Sequence, residues 1–356
     1  MKDEKEIQKM ASKIVGALLA LTIFAGAPGV QAVGAQIPEH VVPMGITTGI
    51  KMFADGIMVV GLSKITTQSG EICPAQQAGL REGDIIISID GTNVSSTEEL
   101  QNVITNAAGK AVSMKVLRAN RKMDIQLQAV RAAIDETWRI GAWVRDSMAG
   151  IGTLTFYDPA SGIFGALGHS INDVDTGNIM PLRSGSLMPS SVVGVKRGEA
   201  GRPGELKGEF DLTRSTGRLS VNSPSGIFGV LDDASLASGY EPMQVARRGE
   251  VKTGKAQILS CVDGAQRSSY DVEIIRIYSE NEADERGMML RVTDPALLKL
   301  TGGIVQGMSG SPIVQNGKLI GAVTHVLVND PKRGYGIFIE NMLESAYEDA
   351  ALKNAA

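Results

Sequence analysis

The sequence predicts a mostly β protein in three parts: an apolar N-terminal segment at 1–32, a smaller domain of strands and short helices, and a larger β-barrel or sandwich domain. Three observations predict it. Glycine is abundant, 42 of 356 residues, while aromatics make up only 4%, and Val/Ile-rich runs are short and punctuated by turn residues, the texture of strands joined by tight turns. At this length, with 43% hydrophobic residues, the chain buries a sizeable core and forms two domains or more. The start carries lysines at 2, 5, 9 and 13 and then an uncharged apolar run at 14–27, the layout of an export signal or a membrane anchor.

That apolar run is short for a span of about 20 residues, and Val30-Gln31-Ala32 is a small-residue cleavage pattern. No charge follows until Glu39, so an uncleaved anchor fits as well as a cleaved signal. Lys and Arg total 35 against 39 Asp and Glu, for a net charge of -4. With no basic stripe interleaved by aromatics, nucleic acid is excluded as a partner. Cys73 and Cys261 fall in different predicted domains and are expected to stay apart. His40, His169 and His325 are the only histidines, and there is no CxxC or HExxH, so no metal and no cofactor is expected.

In chain order, GIKMFADGIMVVGLSKI alternates around Asp55-Gly56 and predicts a hairpin. A short helix is expected over 74–80, a strand over 84–89 and a turn at Asp90-Gly91. Ser96, with Glu99 three residues on, caps a helix, and two strands meet around Asn120-Arg121. From Ala132 onward no long amphipathic helix appears until 339–353. The Ser-Gly-Ile-Phe-Gly unit occurs in both PASGIFGALGH and SPSGIFGVLDD, which suits either two related β layers or one hairpin type used twice.

The stretch that carries chemistry is GMSGSPIVQNGKLIGAVTHV. A serine hydroxyl needs a base, a group that orients the base, and donors for the oxyanion. His40 reads as a linker histidine. His169 stands after a glycine at the end of an apolar run, facing polar residues, and is the candidate base. For the orienting acid, Asp294 competes with Asp173, Asp175 and Asp330, and Asp294-Pro295 before ALLKL also reads as a helix N-cap.

Two stretches carry family resemblances. AGLREGDIIISIDGTNV, and the order of elements over 46–130, resemble a permuted PDZ domain of bacterial proteases. Such domains bind extended peptides by strand addition, which implies a binding edge at Met58, Val59, Val60 and Gly61 beside a helix at 98–104. The GMSGSP loop and its following hairpin resemble the nucleophile region of chymotrypsin-like proteases. That resemblance implies a double β-barrel peptidase domain at 132–356 with Ser309, rather than Ser311, as nucleophile. It also implies amides of Gly307 and Ser309 as oxyanion donors, and Val323, Thr324 and His325 as the strand that binds substrate.

Together with GALGHSINDVDTG and GEVKTGKAQI, these motifs resemble the stage IV sporulation protein B family of serine peptidases. The resemblance implies a catalytic Ser309, His169 and Asp294. It implies action between the membranes after export across, or anchoring to, the inner forespore membrane. It further implies cleavage of a membrane-bound regulator, stage IV sporulation protein FA, to trigger pro-sigma-K processing, along with self-cleavage and self-association through the PDZ domain. The spacer at 28–45 is shorter than the family's. Alternative readings are a PDZ scaffold with an inactive protease-like domain and a general quality-control protease.

Overall fold

The computed structural model describes residues 37–279 and 286–355. The apolar segment at 1–32 lies outside them, and among the described residues no helix is long and apolar enough to cross a membrane.

Strand β1 (His40–Leu62) is followed by helix α1 (Pro74–Gln77), β2 (Ile85–Ile89), helix α2 (Thr97–Ala107), β3 (Ala111–Arg118), β4 (Arg121–Gln128) and β5 (Ala142–Tyr157). β1 and β5 are antiparallel partners along almost their whole length, from Val42 opposite Tyr157 to Leu62 opposite Ala142. At Asp55-Gly56 the chain does not turn back as the sequence suggests. Gly56 takes φ +99, a Cβ there would meet the Ile86 carbonyl at 2.8 Å, and the Asp55 amide donates to the Pro181 carbonyl. The dipeptide makes a bulge inside one strand, because both halves of β1 find their partner in β5 and not in each other.

The bulge separates two domains that share these strands. Beyond it, β1 joins β2, with Ile57 opposite Ile86 and Met58 opposite Ile85, and β2, β3 and β4 extend the sheet. This sheet and helix α2 enclose one core, including Ile57, Val59, Ile86, Leu100, Ile104 and Met114. Local signals are realised as read: Ser96 accepts the Glu99 amide at the start of α2, Glu99 reaches back to the Ser95 amide, and left-handed residues make the turns at Asp90-Gly91 and Ala119-Asn120.

Before the bulge, β1 belongs to a barrel with β5, β6 (Ile163–Ala166), β7 (Leu182–Lys196), β9 (Gly217–Ser223) and β10 (Gly226–Leu231), while β8 (Glu205–Phe210) hangs on β7. The ring runs β1, β5, β6, β10, β9, β7 and back to β1. The PDZ-like domain is therefore inserted in the first barrel, and residues 46–54, read from sequence as its beginning, are barrel strand. The two Ser-Gly-Ile-Phe-Gly units lie side by side in this one barrel as β6 and β10, with Phe164 opposite Gly229, so they do not mark one layer in each barrel.

The second barrel closes from β11 (Gly254–Ser260), β12 (Ser268–Ile277), β13 (Met288–Val292), β14 (Pro312–Gln315), β15 (Lys318–Leu327) and β16 (Asp330–Phe338). Its core includes Ile258, Val272, Leu290, Ile313, Val323 and Phe338. Helix α3 (Pro295–Thr301) precedes the nucleophile loop, and helix α4 (Ile339–Ala355) follows the barrel. Tyr347 of α4 donates to Asp158 at the end of β5, and burial first, then that carboxylate, raises the Tyr347 pKa. Cys73 and Cys261 are buried and unbridged.

Inside the PDZ-like domain, Arg118 binds the buried Asp84 carboxylate through both Nε and Nη2, each at 2.6 Å, and Asp84 also accepts the Arg81 amide. Removing the guanidinium strands a buried charge. Arg118→Met should lower the stability of this domain by about 3 kcal/mol in denaturant unfolding followed by hydrogen exchange.

Candidate active site

The nucleophile loop at 307–311 is held against the first barrel by β5. Thr153 Oγ1 donates to the Gly307 carbonyl at 2.9 Å and Thr155 Oγ1 to the Gly310 carbonyl at 2.8 Å, while the Thr153 amide donates to the Ser309 carbonyl. The fit admits no side chain at Gly310, where a Cβ would lie 2.1 Å from the Thr153 carbonyl oxygen. Ser309 is thereby pinned at the junction of the barrels. Ser311 is fully buried and donates to Ser260 at 3.0 Å, a packing role that excludes it as the nucleophile.

His169 comes to the same junction from the first barrel, three residues past the end of β6 at Ala166. Leu167 before it takes φ +68 and Gly168 φ +71. The left-handed Leu167 is a local strain of order 1 kcal/mol that the packed loop maintains. His169 Nδ1–H donates to the Ser170 carbonyl at 2.7 Å, which leaves Nε2 as the proton-accepting nitrogen. Burial pushes the His169 pKa below its usual 6.5, against the pull of that hydrogen bond, which favours the neutral, proton-accepting form of the ring. The His325 ring lies 4.7 Å from it, centroid to centroid. Desolvation of its cleft side, then His169, then Arg286 also push the His325 pKa down.

Ser309 Oγ donates to the Thr324 carbonyl at 2.6 Å, so at rest its proton is given to that carbonyl and not to His169. The amides of Gly307 and Ser309 donate no hydrogen bond among the described residues. They are the free donors that an oxyanion requires.

The residues expected to bind substrate separate. Thr324 and His325 line a cleft of about 450 Å³ together with Ser309 and His169. Val323 does not: its amide and carbonyl are spent on Ser311 and Gly310, and its side chain is in the barrel core. Asp294 is also outside the cleft. Its carboxylate caps α3, accepting the Ala296 and Leu297 amides at 2.9 Å and the Asp271 amide at 3.3 Å. The helix-cap reading of Asp294-Pro295 is the one the fold realises, and no carboxylate hydrogen-bonds His169 among the described residues. Asp173 and Asp175 bind Arg145, and Asp330 binds Arg333. The Ser170 carbonyl holds the imidazole where a triad acid would.

The expected peptide edge needs a larger correction. The edge expected at Met58, Val59, Val60 and Gly61 is taken up by neighbouring strands: Met58 pairs with Ile85 of β2, Val59 bonds the backbone of Gly83 and Asp84, and on the other side β5 runs alongside, with Val59 opposite Val144 and Gly61 opposite Trp143. The open groove lies one strand further out. It holds about 790 Å³ between residues 142–144 of β5 and the α2 face bearing Leu100, Gln101 and Ile104. Nothing local in AWVR distinguishes this segment from any other strand, and only its pairing with β1 puts it beside α2.

A family model described as SpoIVB peptidase S55 matches residues 136–343, and one described as a PDZ domain matches residues 66–118. Two barrels with a serine and a histidine at their junction, and a PDZ domain attached, define a PDZ-containing serine peptidase. The chain belongs to the SpoIVB peptidase S55 family. It is 33% identical over 78 residues to "Putative serine protease HhoA" of Synechocystis sp., covering 22% of this chain and 18% of that one. It is 33% identical over 64 residues to "Probable periplasmic serine endoprotease DegP-like" of Hahella chejuensis, covering 18% and 14%. The chain thus spans under a fifth of the length of these curated relatives. Among solved structures, the active form of the Rv3671c protease from M. tuberculosis is 15% identical, covering 55% of this chain and 73% of that one, with a TM-score of 0.30.

Asp294→Ala should cost about 1 kcal/mol of stability, the worth of a helix cap. It should leave kcat within a few-fold, against the ~10⁴-fold loss expected of a triad acid; kinetics beside thermal melts of Asp294→Ala and Asp294→Ser check this. Because the His169 pKa is lowered, its basic form persists into acid. Activity should therefore be full above 6.5 and fall only as pH drops through a lower value, read as the acid limb of kcat/KM against pH.

Proposed function

We propose that this chain is a serine endopeptidase of sporulation that is exported across, or anchored to, the inner forespore membrane. There it cuts a membrane-bound regulator, stage IV sporulation protein FA, which the PDZ domain holds as an added strand. The observation that carries the peptidase reading is the convergence of Ser309, the neutral His169 and two free amides on one cleft between the barrels. The sporulation setting, the target and self-association rest on the resemblance to stage IV sporulation protein B.

In the proposed reaction an extended substrate lies along 324–326 and its amide N–H bonds the Thr324 carbonyl. The Ser309 hydroxyl swings from that carbonyl to His169 Nε2, gives up its proton and attacks the peptide carbonyl carbon. The Gly307 and Ser309 amides stabilise the tetrahedral oxyanion, a term worth on the order of 3 kcal/mol per donor. His169 then protonates the leaving amine, and water, deprotonated by the same nitrogen, releases the acyl group. The imidazolium formed in each step is oriented by the Ser170 carbonyl.

The cleft also implies what is cut. Ile304, Val305, Val326 and Val328 are among its lining, and among the described residues no Asp, Glu, Lys or Arg lines it. A charged substrate side chain would lose its hydration there without a partner. Apolar residues are the expected neighbours of the cut bond.

A fluorophosphonate probe on the full chain should label Ser309, and His169→Ala should abolish the labelling while Ser311→Ala retains it. New termini mapped on the cleaved regulator should follow apolar residues at least about tenfold more often than charged ones. A folded chain that takes no label would overturn the peptidase reading in favour of a scaffold.

A further inference from the structure

The loop that carries His169 does not stand on the first barrel alone. His169, Ser170, Ile171 and Asn172 line the cleft, and residues 173–180 then continue onto the PDZ domain. Asn222 of β9 holds the near end, accepting the Ile171 amide and donating to the Ile171 and Met180 carbonyls. The far end is a turn closed by Asp173, whose Oδ1 accepts the Asp175 and Thr176 amides and the Thr176 hydroxyl. The other oxygen of Asp173, a fully buried carboxylate, is bound by Arg145 Nη1, and Arg145 Nη2 binds Asp175 at 2.8 Å.

Arg145 lies on β5, one residue past the 142–144 segment that lines the peptide groove and three before Met148, which lines the catalytic cleft. It sits opposite Met58 of the PDZ domain in the β1–β5 ladder. Much of the rest of the loop is seated on the same domain: Thr176 donates to Met58 Sδ and a Cβ on Gly83 would strike the Asn178 side chain at 2.5 Å, while Met180 packs across the bulge, against Met58 on the PDZ side and Met52 and Ala54 on the barrel side. A forked guanidinium on two carboxylates is a rigid, geometrically specific clamp.

We propose that Arg145 is a positioning residue: by clamping Asp173 and Asp175 it fixes the loop that presents His169, and so makes the placement of the base depend on the strand that lines the peptide groove. This rests on the peptidase reading above. Arg145 touches neither the cleft nor the reacting atoms; it acts through the turn. Loss of the clamp frees the loop by a fraction of an ångström to about an ångström, and misplacement on that scale costs one to two orders of magnitude in rate.

The test uses the full chain, a fluorogenic peptide with an apolar residue at the cut bond, and the variants Arg145→Ala, Arg145→Lys, Arg145→Gln and Asp175→Asn. Arg218→Ala, which breaks an exposed pair with Asp232 elsewhere in the first barrel, is the control. Arg145→Ala is expected to lower kcat per folded molecule by about tenfold to a hundredfold with KM changed less than threefold. Arg145→Lys should recover part of the loss, and Arg218→Ala should match the unvaried chain.

The proposal is overturned if Arg145→Ala has the unvaried kcat, or if its loss tracks only the unfolded fraction in a thermal melt, or appears only in KM. Should Arg145→Ala not fold, Arg145→Gln and Asp175→Asn are read by the same criteria. If the unvaried chain cleaves nothing, the peptidase reading has failed on its own. The clamp is then judged by the His169 ring signal in NMR, which must shift in Arg145→Gln and stay put in Arg218→Ala.

Discussion

The antiparallel ladder between β1 and β5 is the constraint on which the rest of the molecule depends. One pair of strands supplies a wall of the first barrel, continues through a bulge, and becomes the middle of the PDZ sheet. Its register decides everything downstream: which residues of β5 face α2, which face the catalytic cleft, and which receive the nucleophile loop. Slipping it by one residue would turn every one of those side chains to the opposite face. The bulge at 54–57 absorbs the mismatch between the two sheets without breaking the pairing on either side.

From that ladder the site follows by short-range chemistry. Thr153 and Thr155 hold the Ser309 loop by two hydroxyl bonds, and Gly310 lets the loop come close enough to accept them. His169 is delivered by strained backbone at 167–168 and oriented by its neighbour's carbonyl. A carbonyl dipole holds an imidazole in place as well as a carboxylate does, but it offers the imidazolium only a partial charge. The burial that lowers the His169 pKa makes that difference matter more, since little solvent is there to share the load.

What could be read from the sequence was what is decided locally. The α2 cap, the two left-handed turns and the capping role open to Asp294 all depend on residues within four positions of one another. The failures share the opposite property. Asp55-Gly56 specifies a positive φ, but whether the chain doubles back there depends on β5, far away in sequence. The order His169, Asp294, Ser309 is compatible with a triad, yet order contains no distance, and the Asp294 carboxylate is consumed by the helix it starts. Val323 looks like its neighbours Thr324 and His325 until the loop at 310–311 claims its backbone. Arg145 and Asn222 carry no signature at all, because their roles exist only once separate strands are adjacent.

The insertion also bears on how the first barrel closes. The first barrel cannot close until residues 42 and 157 meet, and a chain that long, left unstructured, would meet rarely and at a large entropic cost. Pairing residues 58–62 with 142–145 would shorten the open loop that remains to be closed. From there the ladder can zip toward the barrel one residue at a time, past the bulge, until Thr153 and Thr155 are in place. One continuous ladder thus ties closure of the first barrel to the pairing of the inserted domain's strands.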